Sequence, residues 1–362
     1  MKQGIDLLVM DKDFQIIQLL NYTNLQWSRK YYESGTFSVE IPAELYSTEF
    51  KYLYTKDRPE MGLIEQVNYY TKNGYQSVSI SGYFLENKLN RRVVYQKTAS
   101  TNITNAPGWV LQSGKAEDVA TAFFDAFKDV TFIKDSATYN MSLGIETGTS
   151  QARGHNSEHT RGNEDLGSKV YTILKPSKMS YRINYDFNTS IMTFNCWSGV
   201  DRSSDNEEGN NPVVFSTKYG NITEANLLID STAYKNAYLV TAEQSDDAIW
   251  IYAGSELATD DDDAKFIQVD STQNKDDFAS DSDYINAMYT EGHEELLNNK
   301  KTIDLDFDTI QGSYEYMTDF DLGDICSIEI PELGLSLDAV LSAIYEVVNN
   351  GVWTISLEFT TD

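Results

Sequence analysis

Two Asn-Gly dipeptides, Asn73-Gly74 and Asn350-Gly351, each sit between runs in which apolar and polar residues alternate. A two-residue type I′ turn needs positive φ at both positions, which Asn and Gly tolerate best, so each dipeptide predicts a tight antiparallel hairpin. The residues after the turns also agree. "GYQSVSI" from Gly74 and "GVWTISL" from Gly351 share Gly, two variable positions, Ser or Thr, a β-branched residue, Ser and an aliphatic residue, and Ile64 and Ile344 begin the strands leading in. Any two amphipathic strands after an Asn-Gly turn would share part of this, so a duplicated barrel and a coincidence of strand chemistry both stay open.

Strand patterning recurs at both ends of the chain. Phe37, Val39 and Ile41 alternate with Ser38 and Glu40; Ile303, Leu305 and Phe307 with Thr302, Asp304 and Asp306; Trp353, Ile355 and Leu357 with Thr354 and Ser356. Each run predicts a half-buried strand. Between the ends the period changes. In "SGKAEDVATAFFDAFKDV", Val119, Ala120, Phe123 and Phe127 share a helical face behind a Ser113 start and an acidic first turn at Glu117 and Asp118. "LGSKVYTILK" predicts a second helix halted by Pro176, and "SYRINYDFNTSIMTFNCW" a hairpin. "SDYINAMYTEGHEELLNNK" predicts a third helix capped by Ser282, with Ile285, Met288 and Tyr289 on one face and Gly292 weakening it. The expectation is a β frame around an α+β insertion near 99–200 and a helix near 282–299.

At 362 residues the chain exceeds what one core usually serves, which predicts two to four domains. Hydrophobic residues at 41%, 24 tyrosines and only 6 prolines mark a folded, β-leaning protein. The 56 acidic against 28 basic residues give a net charge of -28, which repels phosphate backbones and anionic membranes. Tight nucleic-acid binding is thereby disfavoured, leaving only DNA contacts that profit from weakness, such as passage through a channel. Cys196 and Cys326 read as core thiols more readily than as a disulfide. The N-terminus "MKQGIDLLVMDKDFQII" lacks the apolar core and cleavage site of a signal peptide, and no segment approaches the roughly 20 apolar residues of a membrane span. Synthesis in the cytoplasm is expected, with any later external location reached through assembly or lysis.

Candidate chemistry is sparse. His155 and His159 have the i, i+4 spacing of a helical zinc pair, but "GHNSEHT" lies in loop composition and a solvated loop is expected. Asp260 to Asp263 offer hard oxygen ligands without the alternate spacing or glycine of a calcium loop, and are expected to be a solvated tip. With 56 acidic residues, paired glycosidase carboxylates cannot be recognised by count, and a Ser-His-Asp triad must draw on only three histidines. No phosphate loop, Cys-x-x-Cys pair or nucleophile elbow occurs. Arg91 and Arg92, like Arg29 and Lys30, are expected to pair with carboxylates of a neighbouring strand or subunit rather than bind phosphate.

Several segments, in order, cover nearly the whole chain: "LLVMDKDFQIIQLL", "LQWSRKYYESGTFSVEIP", "MGLIEQV", "SVSISGYFLENKLNRRVVYQKT", "WSGVDRSS", "VVFSTKYGNITEANLLIDSTAYKNAYLV" and "YEYMTDFDLGDICSI". Their double arginine, Gly-x-Asp-Arg-Ser turn and Leu-Gly-Asp motif resemble the hub proteins at the distal end of the tail tube in long-tailed bacteriophages and related tail-like particles. The strongly acidic stretch from about Asp246 to Lys275 departs from that pattern.

The resemblance implies a mainly β fold with an α+β insertion: two small β-barrel hub domains, the first in residues 1–98 and the second in 201–245 and 300–362. Residues 99–200 would be the inserted α+β domain and 246–299 a peripheral acidic loop and helix. It implies a homotrimer, whose three chains of two similar barrels give six quasi-equivalent modules that continue a sixfold tube. Trp27, Tyr31 and Phe37 would be barrel anchors, Gly35 a turn, and Arg29, Lys30, Arg91, Arg92, Asp201, Arg202, Gly323 and Asp324 structural or subunit-contact residues. Asp304, Asp306 and Asp308, on one polar strand face, are expected either to line the channel or to face solvent outside the ring.

The implied function is structural, in a virion assembled in the host cytoplasm. It joins the tail tube to receptor-binding or fibre proteins, with the tape-measure protein as a further partner, and gates the channel for DNA ejection with no cofactor and no catalysis. The equivalent hub of a tail-like bacteriocin or contractile injection particle is the nearest alternative. A secreted carbohydrate-binding or glycosidase β protein is the more distant one.

Overall fold

A computed structural model describes residues 5–72, 74–95, 103–104, 111–160, 164–243, 249–255, 264–271, 273–278, 280–309 and 313–361. The first part of the chain supplies β1 (Leu8–Met10), β2 (Ile16–Leu19), β3 (Asn24–Lys30), β4 (Thr36–Pro42), β5 (Tyr52–Tyr54), β6 (Met61–Lys72) and β7 (Tyr75–Phe84). The next supplies β8 (Leu111–Lys115), α1 (Ala116–Phe127), β9 (Asp129–Lys134), β10 (Ala137–Ser142), β11 (Ile145–Thr147), β12 (Asn156–Thr160), α2 (Leu166–Leu174), β13 (Ser180–Asp186) and β14 (Ile191–Trp197). The last part begins with β15 (Asp201–Arg202), β16 (Val214–Ser216), β17 (Ile222–Asp230), β18 (Ala237–Glu243), β19 (Ile249–Ser255) and β20 (Phe266–Ser271). It ends with α3 (Asp281–Asn298), β21 (Thr302–Thr309), β22 (Ile325–Ile330), β23 (Leu335–Asn349) and β24 (Val352–Thr360).

Fourteen strands form one sheet, ordered β17-β21-β24-β23-β3-β4-β7-β6-β5-β1-β2, with β22 branching from β23 to carry β15 and β16. The chain is mainly β, as the patterning predicts, but among the described residues no sheet closes into a barrel. The two expected barrels instead share a seam. β23 pairs antiparallel with β3 from Ala343 opposite Lys30 to Asn349 opposite Asn24, and this joins the halves into one open sheet. Each half keeps its own core: Leu25, Trp27, Phe37, Val39, Ile80 and Phe84 in the first, Phe215, Phe307, Ile328, Leu357 and Phe359 in the second.

The halves repeat. Lys72 faces Tyr75 across the first turn and Asn349 faces Val352 across the second, and Asn350 and Gly351 have φ of 48° and 80°. In both long strands the ladder slips at the residue nine before the turn glycine, Glu65 in β6 and Ser342 in β23. A bulge at one matched position is a much stricter mark of duplication than shared amphipathic residues. Through it Ile64 matches Leu341 rather than Ile344. The match extends outward: β7 pairs β4 as β24 pairs β21, and β5 caps the start of β6 as β22 caps the start of β23.

The segment from β8 to β14 packs α1 and α2 against the three-stranded sheet β11-β14-β13, and Phe123, Phe124, Val170, Ile183 and Phe194 share one core with Met61, Leu85 and Leu89 of the first half. Ser113 lies within β8 and caps nothing; α1 starts at Ala116 with no side-chain cap. β18 pairs with β19 and β20 rather than joining the second half, so Ala237–Glu243 belongs with α3 in a peripheral unit. The cap of α3 is Ser280, whose Oγ accepts the Asp283 N–H at 3.2 Å, just ahead of the predicted Ser282. Tyr284, Ala287 and Met288 face its core, whereas Tyr289 is exposed. The helix runs unbroken through Gly292, where the Tyr238 ring packs so closely that a Cβ would meet it at 2.2 Å. No helix among the described residues is long and apolar enough to cross a membrane.

Candidate assembly site at the seam between the half-sheets

β3 alternates Leu25, Trp27 and Arg29 on its core face, so the geometry that buries the indole also buries a guanidinium. A buried charge needs partners, and Arg29 finds them in both halves. Nε lies 3.0 Å from Glu60 Oε2, while Nη1 donates to Asp321 Oδ1 at 2.6 Å and to Tyr316 Oη at 2.7 Å. Trp27 Nε1 donates to the other oxygen of Glu60 at 2.7 Å. Beside it, Arg58 grips the fully buried Glu346 of β23 through two bonds of 2.9 and 2.6 Å, and its guanidinium lies 5.1 Å from the Tyr316 ring centre. Burial alone would lower the Arg29 pKa, but Glu60, Tyr316 and Asp321 raise it well above its ordinary value. The first half thus supplies Trp27, Arg29, Arg58 and Glu60, and the second half Tyr316, Asp321 and Glu346.

A second knot orders the exit from the insertion. Asp324 accepts the N–H of Val200 at 2.7 Å, Arg202 Nε at 2.9 Å and the N–H of Asp321 at 2.9 Å. Tyr31 Oη donates to the Lys178 carbonyl at 2.9 Å and accepts the Gly199 N–H at 3.2 Å. Asp201 Oδ1 accepts from the backbone and hydroxyl of Ser203 at 2.9 and 2.7 Å. Gly323, at φ +83°, sits under the Tyr31 ring. Gly35 is also required by close approach, since a Cβ there would lie 2.4 Å from the Ser28 carbonyl and 2.6 Å from the Phe84 ring.

Other residues singled out from the sequence sit apart from this seam. Arg29 is spent within the chain, while Lys30 makes an exposed pair with Glu33 at 2.7 Å. Arg91 pairs with Glu65 at 2.6 Å, but Arg92 donates to the carbonyls of Lys128 and Met141. Asp304, Asp306 and Asp308 lie on the polar face of β21, where Asp306 accepts from Asn226 Nδ2 at 2.9 Å and Asp308 from the Ser356 hydroxyl. The solvated loop expected at His159 is a strand: β12 pairs with β8, and burial lowers the imidazole pKa to about 3 with its Nε2 3.6 Å from Glu294 Oε2. An extended chain holds residues four apart by roughly 13 Å, so His155 and His159 do not share a helical face. No group of three or more His, Cys, Asp or Glu among the described residues could hold a metal. Cys196 and Cys326 are free. Asp260 to Asp263 lie outside the described residues.

Glu60 and Glu346 escaped the sequence reading. Glu60 carries no local signal, but Glu346 falls between Ile344 and Val348 on the apolar face of a strand, where a lone carboxylate marks a buried cation partner. A cavity of about 40 Å³ adjoins the seam, lined by Arg29, Glu60, Glu86 and Arg182, and has room for a few waters only.

Burial raises the Glu86 carboxyl to about 7, partly offset by the Ile183 N–H it accepts at 3.0 Å. Burial likewise lifts Glu294 to about 7. A carboxyl whose folded pKa exceeds its unfolded value contributes stability that is present below about pH 4.5 and lost as pH rises through about 7. Glu86→Gln keeps an acceptor for Ile183, so at pH 8 it is expected to stabilise the fold by about 2 kcal/mol and to flatten the fall in stability between pH 5 and 8. Urea midpoints at the two pH values measure this; an unchanged slope would count against a buried ionising Glu86.

Solved structures share the fold over the full chain. The tail protein from Neisseria meningitidis MC58 matches with a TM-score of 0.58 at 11% identity, covering 99% of this chain and 97% of that one. The 43 kDa tail protein of prophage MuSo2 from Shewanella oneidensis matches at 0.57 and 8% identity, covering 98% of each. Prophage tail protein gp18 from Listeria monocytogenes EGD-e matches at 0.54 and 12%, covering 99% of this chain and 94% of that one. No curated protein sequence matches significantly. The family model described as Siphovirus ReqiPepy6 Gp37-like protein matches residues 6–359, and the chain therefore belongs to this family of phage tail structural proteins.

Proposed function

We propose that the chain forms the trimeric hub at the distal end of a phage tail tube, joins the tube to receptor-binding or fibre proteins, and gates the channel for DNA ejection. The observation that carries this reading is the repeat: one chain holds two matched half-sheets in one continuous sheet, with the turn, the bulge and the cap strand at corresponding positions. Three such chains present six like modules, the number a threefold tip needs to continue a sixfold tube. The charge cluster suits this role, because it fixes the angle between the modules with groups that satisfy one another. No catalytic part is assigned to it.

The polar face of β21 is proposed to line the channel. Its Asp304, Asp306 and Asp308 match Thr36, Ser38 and Glu40 of β4, so both modules turn polar strands the same way. Acidic walls keep a passing polyanion off the surface, whereas cationic walls would hold each phosphate. Light scattering of the concentrated protein is expected to give three copies, and a reconstruction of the tail tip to place them at the distal ring with these aspartates inward. A stable dimer, a hexamer in the particle, or an axial surface lined mainly by Lys and Arg would overturn the reading.

A further inference from the structure

Two stretches of the sheet are bare among the described residues. Along β23, one edge is filled throughout: β22 covers it as far as Val340 and β3 takes over from Ala343. Along β6, β5 covers the edge as far as Leu63, and among the described residues no strand pairs with that edge from Gln66 to Lys72. At the β17 end of the sheet, β17 pairs only with β21 among the described residues. Both bare edges carry apolar residues: Val67 is 41% and Tyr69 56% exposed, Leu228 53% and Ile229 56%. Isolated edges are normally blunted by bulges, prolines or charge, and a long bare edge with apolar side chains is a template for another strand.

The repeat says which strand. Trp27 lies opposite Phe37, and Leu227 opposite Leu305. Phe37 and Leu305 in turn face Gly82 and Phe359, each eight residues after its turn glycine. β17 is therefore the counterpart of β3, with Leu227 matching Trp27 and Ile229 matching Arg29. By the bulge, Val67 matches Ile344 and Tyr69 matches Glu346. Within the chain, Arg29 faces Ile344 and Trp27 faces Glu346.

We infer that β17 of one copy pairs antiparallel with β6 of the next copy, in the register that sets Ile229 opposite Val67 and Leu227 opposite Tyr69. This rests on the hub reading and deepens it by naming the contact. In this register Ile229 and Leu227 of one copy face Val67 and Tyr69 of the next at every seam between copies. At the matching positions the inner seam carries Arg29 and Glu346, each held by ion pairs to residues outside the ladder, whereas the outer seam uses apolar pairs, so the two kinds of seam are not interchangeable. That difference rejects insertion of a half-module in the wrong place.

Directly opposed residues on antiparallel strands stand close enough for a disulfide, while diagonal neighbours at roughly 7–8 Å do not. Val67→Cys with Ile229→Cys, oxidised in concentrated solution, is expected to give reducible bands of two and three copies that stop at three. Tyr69→Cys with Ile229→Cys, on the same face but out of register, is expected to give at least about tenfold less. Equal linking in the two variants, bands running past three, or no linking in protein that scattering shows to be trimeric would overturn the register; the last outcome would leave the hub reading intact. A wild-type dimer would defeat both. As a second arm, Ile229→Lys is expected to weaken assembly at least about tenfold with the melting profile of the dissociated chain unchanged, and Val67→Glu in the same chain to restore it. No rescue would also overturn the inference.

Discussion

Arg29→Met is expected to lower stability by about 3–5 kcal/mol, because it leaves buried carboxylate without its cation. Glu60 would keep only the Trp27 N–H at 2.7 Å, and Tyr316 and Asp321 would lose the guanidinium that draws the second half onto β3. Arg29→Lys is expected to fail nearly as badly, since one ammonium cannot reproduce a fork that serves Glu60 on one side and Tyr316 with Asp321 on the other. Adding Glu60→Gln to Arg29→Met removes the stranded charge and is expected to recover about half the loss. Urea unfolding of the single and double variants closes the cycle. A cost below about 1 kcal/mol for Arg29→Met, or no recovery in the double variant, would show that the cluster is not a stabilising lock.

What the sequence made legible follows the range of the interaction. Turn chemistry is local, so Asn73-Gly74 and Asn350-Gly351 announced two hairpins, and alternation announced the strands beside them. Strand partners are chosen over hundreds of residues: nothing within Asn24–Lys30 says that its other edge belongs to Ala343–Asn349, and where two small barrels are expected that seam joins the halves into one open sheet. The caps went astray for a smaller reason. Ser113, Ser280 and Ser282 all offer the same hydroxyl, and the neighbouring strand or tertiary packing decides which one ends up at the helix start. His159 looked solvated because polar residues surround it in sequence, whereas it is α3, well over a hundred residues away, that covers it. Arg29 reads from the sequence as a residue that pairs with carboxylates of a neighbouring strand or subunit, and its place on the Leu25 and Trp27 face selects partners inside the chain.

Gly199→Ala is expected to be among the costliest substitutions of a single methyl group, at about 3 kcal/mol or more. Its Cβ would stand 2.0 Å from the Gly323 carbonyl oxygen and 2.4 Å from the Asp324 nitrogen, all backbone, so no side chain can swing away. Nor can Gly323 retreat, because the Tyr31 ring lies against its other side and is itself tied to the Lys178 carbonyl. Relief must come from moving the backbone that leads through Asp324 into β22, which would pull that carboxylate from Val200 and Arg202. Gly220→Ala separates this clash from backbone strain: Gly220 sits at φ +67° with no atom within 4 Å of the point where a methyl group would stand, and its substitution is expected to cost about 1 kcal/mol. The consequence of Gly199→Ala reaches beyond stability, since Tyr31, Gly199 and Gly323 are where the first half, the insertion and the second half meet. Even in protein that still folds, the insertion would leave the sheet at a new angle, and assembly into the proposed trimer is expected to fall in step with the loss of stability. Equal costs for Gly199→Ala and Gly220→Ala in urea unfolding would mean that the three-way contact yields freely and does not hold the modules in place.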